Sequence, residues 1–219
     1  MELRDQPEVH AEIAMAKEWV RRSRELTDAI SVDATPRNKI AAALFLISME
    51  HQIGILLLMD AQMIAPGKAL LRSQLDAFVR GVWFLEKATD EQIKEFSEKE
   101  YAKNIPPIRY EQLINDVESV ERYNGGTFSR LSDTINMLHD FTHGGKIAVS
   151  AYVTRNEIGA NFHPKDVVVC LRSSGTLGLM ASNELAGMSG VDDLPAKIYE
   201  AHGEVYGDSH GRFEGEPGD

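Results

Sequence analysis

The run from Ile40 to Ala65 is long and apolar enough to approach the length of a membrane span. Glu50 and His51 stand at its centre, and Gln52, Asp60 and Gln62 also fall inside it, a polar load that is costly in lipid. The run is therefore read as the buried central helix of a soluble bundle, with no membrane partner, and the rest of the chain has to cover it. With 219 residues, 43% of them hydrophobic, the chain holds enough apolar material for one core of full domain size.

The punctuation on either side predicts more helices. Pro7 to about Ile30 carries Ile13, Val20 and Leu26 on one side and reads as an amphipathic first helix. Thr35 and Pro36 form an N-cap and a first-turn proline that start the second helix, which Pro66-Gly67 is expected to end. A third helix follows from about Lys68 to Lys87, and Thr89 caps a fourth from Asp90 to about Lys103. After Pro106-Pro107 come Ile108 to about Tyr123 and, beyond Asn124-Gly125-Gly126, Thr127 to His143. Residues 146–161 lack a helical stripe and are expected to form a short irregular or β-hairpin insertion. Pro164 and Asp166 open a long helix to about Met188, in which Gly175 and Gly178 mark close helix contacts, and Asp192 to Tyr206 closes the series. The fold class is all-α: a bundle of long antiparallel helices forming a single domain over residues 1–206, with a disordered C-terminal tail over 207–219.

Within the third helix, Arg72, Asp76 and Arg80 recur every four residues and stack on one face, beside an apolar stripe of Leu71, Leu75, Phe78, Val79 and Val82. A carboxylate between two guanidinium groups serves either as a clasp between helices or as an anion site. Glu50 is a natural partner for Arg72 or Arg80 if both lie inside the bundle. His51 beside it is the candidate proton-transfer group, its basicity set by Glu50 or Asp76.

His139-Asp140-Phe141-Thr142-His143 places two imidazoles at i and i+4, the spacing of a zincin helix, with Asp140 where the general-base Glu normally stands. His163 or Glu157 would supply a third ligand. The competing reading gives His143 a structural role near a helix C-terminus ended by Gly144-Gly145. No metal and no cofactor is expected.

The formal charge of -11 opposes nonspecific association with duplex nucleic acid through the surface as a whole. A lone Cys170 excludes an internal disulfide framework and suits a reducing, cytoplasmic setting; its apolar neighbours make it an inert buried thiol. Ser173-Ser174-Gly175-Thr176 lacks the spacing and lysine of a phosphate loop and reads as helix interior, and Trp19 and Trp83 read as packing residues.

Thr35-Pro36-Arg37-Asn38 leading into Met49-Glu50-His51-Gln52, then Ala69 to Trp83, then His139 to Gly145, resembles a family of uncharacterised bacterial all-helical proteins. That family looks like a distant branch of the HEPN superfamily, whose members are dimeric helical bundles of toxin–antitoxin and antiviral systems, many of them metal-independent ribonucleases. The resemblance implies a homodimer, RNA as a substrate, a cognate antitoxin or other partner protein, and a catalytic set of Arg72, Arg80, His51 and His143, supported by Glu50, Asp76, His139 and Asp140. Active members carry a histidine four to six residues after an arginine on a late helix. Here Arg130 lies too far before His139 and His143, while Arg4 and His10 match the spacing with Pro7 between them, so the catalytic set would have to assemble in space. The other classes are a noncatalytic dimeric binding or scaffold domain and a metal-dependent hydrolase using His139 and His143.

Overall fold

The computed structural model describes residues 3–98, 109–126, 128–129, 132–153 and 157–207, with the side chains of Arg4, Ser132 and Asp133 outside that description. Proline and threonine punctuation sets the first helices. α1 spans Pro7–Thr27 and α2 spans Pro36–Asp60, where Thr35 Oγ1 accepts a hydrogen bond from the Asn38 N–H at 3.2 Å. α3 runs Ile64–Glu86 and α4 runs Asp90–Glu98, where Thr89 and Gln92 exchange backbone-to-side-chain hydrogen bonds as a reciprocal cap. The prolines at 106 and 107 and the predicted end of α4 lie outside the described residues.

The break between α2 and α3 falls earlier than Pro66-Gly67. Gln62 takes a positive φ of 60°, and the Met63 N–H reaches back to the Leu58 carbonyl at 2.7 Å, closing α2 in a left-handed cap. Pro66 then sits in the first turn of α3, where a missing N–H costs nothing.

α5 spans Tyr110–Glu118 and is followed by a 3-10 turn at Glu121–Tyr123, so the helix predicted to reach Tyr123 stops short. α6 is Ser132–His143, α7 Lys146–Ser150, α8 Pro164–Ser189 and α9 Leu194–Tyr206. The insertion at 146–161 is therefore not a hairpin. It opens with the short α7 and retains one isolated antiparallel bridge, Val153 with Ile158. The expected tail beyond residue 207 lies outside the described residues. Among the described residues the fold is all-helical, with that bridge as its sole extended pairing.

α2 and α3 form an antiparallel pair, α8 packs across both and against α1, and α9 closes on α1 and α8. α5 and α6 flank α3. Close approach at these crossings depends on small residues: a Cβ on Gly178, read from the sequence as a contact position, would collide with Gln52, and one on Gly81, not singled out there, would come within 2.6 Å of the Phe45 ring. The buried Gln74 cross-links the layers, donating Nε2–H to the Ser174 carbonyl at 3.0 Å and accepting from Ser174 Oγ–H at 2.7 Å. Ser174 thus lies inside α8, as helix interior rather than phosphate loop.

α2 is less covered than its composition suggests. It is the one described helix long and apolar enough to cross a membrane, yet only 39% of its most apolar window is buried. It packs through Phe45, Met49, Gln52, Ile55 and Met59, and leaves Leu46, Ile47 and Leu57 exposed. The expectation of a buried central helix therefore holds for the side that packs against the core, while the side carrying Leu46, Ile47 and Leu57 is open.

Candidate functional site

The charge row on α3 forms as its spacing requires. Arg80 Nε donates to Asp76 Oδ2 at 3.1 Å, whereas Arg72 Nη1 stays 4.0 Å from Asp76 Oδ1, too far for a hydrogen bond. Arg72 is held from its other side by Tyr110, with the guanidinium carbon 4.0 Å from the ring centroid, a cation–π contact. Tyr110 is there because it opens α5, whose Leu113, Ile114 and Val117 are buried and whose Asp116 accepts from Trp83 Nε1–H at 3.0 Å. Burial pushes the Tyr110 phenol above its ordinary pKa, against the opposing pull of Arg72. Arg72 Nη1 and Tyr110 OH are buried and have no hydrogen-bond partner among the described residues.

The α2–α3 register places His51. Gly54 meets Leu70, and Ser48 Oγ donates to the Gln74 carbonyl at 3.2 Å, and His51 falls between these two contacts on α2, with Glu50 the one charged group acting on it. Its imidazole is held below the usual histidine range by partial burial, with Glu50 pulling the other way. Glu50 itself is exposed, and none of the described ion pairs joins it to Arg72 or Arg80, so the clasp expected of Glu50 is not formed.

His139 and His143 form a different group. Their rings lie tilted by 44° with centroids 4.3 Å apart on exposed positions of α6. Phe141, between them in sequence, lies 5.0 Å from Lys68 Nζ near the start of α3. Arg80 is about 18 Å further along α3 at roughly 1.5 Å per residue. His143 is therefore not brought to Arg80. Asp140 is engaged in the chain reversal, with Oδ2 accepting from the Ile147 N–H at 2.8 Å and its carbonyl accepting from the Gly145 N–H at 2.8 Å. No group of three or more His, Cys, Asp or Glu side chains converges as metal ligands among the described residues, so neither His163 nor Glu157 completes a site there.

Lys68–Asp166, Arg122–Glu184 and Arg172–Glu12 are among the ion pairs that escaped the sequence reading because their partners are distant in the chain. Lys68 Nζ lies 2.6 Å from Asp166 Oδ1, and the ammonium sits over the Phe141 and Phe162 rings. Burial raises the Asp166 pKa, but the Lys68 ammonium and the His163 N–H outweigh it and hold the carboxyl below its ordinary value. Arg122 Nε lies 2.7 Å from Glu184 Oε1, and Arg172 Nε lies 2.9 Å from Glu12 Oε2. No local spacing announces any of them. Cys170, beside the Lys68 pair, is buried, and desolvation pushes its thiol up to about 12, as expected of an inert cysteine.

Two measurable effects follow from these pairs. Asp76→Ala is expected to lower the unfolding free energy by about 2 kcal/mol, between a surface pair and a fully buried one. The placing follows from side-chain exposures of 16% for Arg72, 24% for Arg80 and 35% for Asp76. Chemical denaturation checks it, and a wild-type midpoint would show that the row carries no structural load. Glu12 behaves oppositely to a paired surface carboxylate: burial raises its pKa more than the Arg172 hydrogen bond and charge lower it. The folded state then binds the Glu12 proton more readily than the unfolded state, so this residue's contribution to stability rises as pH falls through its folded pKa toward the unfolded value. Glu12→Gln should remove that component, which pH-dependent melting of the two proteins will reveal.

The fold and the site together define an all-helical bundle protein with a half-buried Arg–Asp–Arg row shared between its third and fifth helices. Residues 45–208 match a family of unknown function (DUF6988), and the chain belongs to that family. No curated protein and no solved structure matches the chain.

Proposed function

We propose that the protein is a noncatalytic dimeric binding or scaffold domain that associates through the open face of α2. The observation that carries this reading is the uncovered apolar stripe: Ala43, Leu46, Ile47 and Leu57 share one exposed side of a helix whose other side is core. Glu50 and His51 lie near its middle, so a second copy approaching about a twofold axis meets the same apolar surface and an acidic group able to face an imidazole. The Arg72–Asp76–Arg80 row, through the stacking of Arg72 on Tyr110, acts as a clasp fastening α5 to α3.

Sedimentation tests this directly. The wild-type chain is expected to be a dimer at micromolar concentration, and Leu46→Glu with Leu57→Glu to be a folded monomer. A monomeric wild-type protein would sink the proposal.

A second reading, a HEPN-like ribonuclease of a bacterial defence or toxin system, draws support from one observation. Arg72 Nη1, beside Asp76 on α3, is buried and has no hydrogen-bond partner among the described residues. In this mechanism His51 takes the ribose 2′-hydroxyl proton while Arg72 and Arg80 stabilise charge growing on phosphorus, with a cognate antitoxin as the partner protein. Cleavage of RNA that persists in chelator and is lost in His51→Ala would favour it over the scaffold reading. Either reading places the protein in the cytoplasm.

A further inference from the structure

Between the first turn of α2 at Asn38, the end of α3, the Glu121–Tyr123 turn, α8 and α9 lies a cleft of about 770 Å³ whose lining includes none of the charge-row residues. Met180 and Met188 of α8 and Leu85 of α3 line it, and the exposed Tyr199 of α9 stands at its rim. Its acidic wall is built: Glu184, only 8% exposed, accepts from Arg122 Nε at 2.7 Å and from the Tyr123 hydroxyl, while Glu86 accepts from Arg122 Nη2 at 2.8 Å. Two carboxylates against one guanidinium leave the wall one charge negative.

Asn183 also lines the cleft, and it is not satisfied. Both its Oδ1 and its Nδ2 are buried without a hydrogen-bond partner among the described residues. Folded proteins seldom leave both ends of a buried amide unpaired, since each unpaired group costs about 1–3 kcal/mol. Asn183 lines the cleft with both amide atoms turned away from solvent, so a molecule seated there would meet its donor and acceptor after a change of its χ angles.

We propose that this cleft binds a nucleobase, as the free base or the nucleoside, with Asn183 reading its edge. A side-chain amide pairs bidentately with an adjacent donor and acceptor on a flat heterocycle. The two thioethers and the Tyr199 ring supply the polarisable, flat-sided surroundings that a ring prefers over a flexible chain. The negative wall selects against a phosphate, so a nucleoside is bound in preference to its nucleotide.

Calorimetric titration of the full chain with adenosine, guanosine, cytidine and uridine, each alongside its 5′-monophosphate, tests the proposal. At least one nucleoside is expected to bind saturably, with its monophosphate weaker by about tenfold or more. Asn183→Leu should weaken that nucleoside by at least about tenfold. Gly187→Phe, where an added Cβ meets nothing within 4 Å, should abolish binding by filling the cleft, with an unchanged melting temperature as the check that the fold accepts the ring. Four nucleosides that fail to bind at millimolar concentration overturn the proposal, as does binding left intact in Asn183→Leu or Gly187→Phe. A monophosphate binding as tightly as its nucleoside overturns the charge selection. Benzamide binding as tightly as the best nucleoside overturns the choice of a heterocycle.

Discussion

Glu184→Ala is expected to lower the unfolding free energy by about 3 kcal/mol, the range seen when one partner of a buried ion pair is removed. The carboxylate is 8% exposed and takes hydrogen bonds from Arg122 Nε, Arg122 Nη2 and the Tyr123 hydroxyl. Arg122 is nearly half exposed and keeps Glu86, so it recovers water on one side. Tyr123 has no such recourse: desolvation and the Glu184 charge push its phenol far above its ordinary pKa, and without the carboxylate its hydroxyl loses its acceptor. Glu184→Gln retains an acceptor and should cost roughly half as much, because the neutral hydrogen bonds that replace the charge-assisted ones are about half as strong. Urea denaturation of the two variants separates loss of charge from loss of contact, and equal midpoints for Glu184→Ala and wild type would contradict the pairing.

Phe78→Ala should cost more, about 4 kcal/mol, from lost transfer energy and the cavity left behind. Phe78 is completely buried at the meeting point of several elements, with ring centroids 6.0 Å from Phe45 of α2, from Tyr123 and from Phe128. Few neighbours can relax into the space, because Phe45 is itself pinned against Gly81. Phe78→Leu, which keeps most of the volume, is expected to lose about 1–1.5 kcal/mol. Similar melting temperatures for Phe78→Ala and Phe78→Leu would show the core to be softer than its packing indicates.

What could be read in advance was local. The caps at Thr35 and Thr89, the first-turn prolines at 36 and 164 and the four-residue spacing of Arg72, Asp76 and Arg80 are all decided within one or two turns of chain, and each appears where expected. The break at Gln62 was missed because a glutamine in the left-handed region carries no compositional mark, while Pro66-Gly67 nearby carries a strong but misleading one. Residues 146–150 become a helix because Asp140 caps its start through the Ile147 N–H, a contact across the Gly144-Gly145 turn that overrides the β-branched composition. Glu50 was misplaced for a related reason: periodicity shows that α2 has two sides but not which side its neighbours leave bare. The pairs Lys68–Asp166 and Arg122–Glu184 span 98 and 62 positions and answer to no spacing rule at all.

α1 packs chiefly on α8 and α9, and its buried Glu12 meets Arg172, 160 positions later in the chain. During synthesis, α1 therefore leaves the ribosome long before its docking surface exists, while the α2–α3 hairpin can close as soon as it emerges. Nascent chains cut short before Pro164 would carry a loose, protease-sensitive α1 tethered to an already formed hairpin. Arrival of α8, and not the making of the first helix, is the event that commits this protein to its final shape.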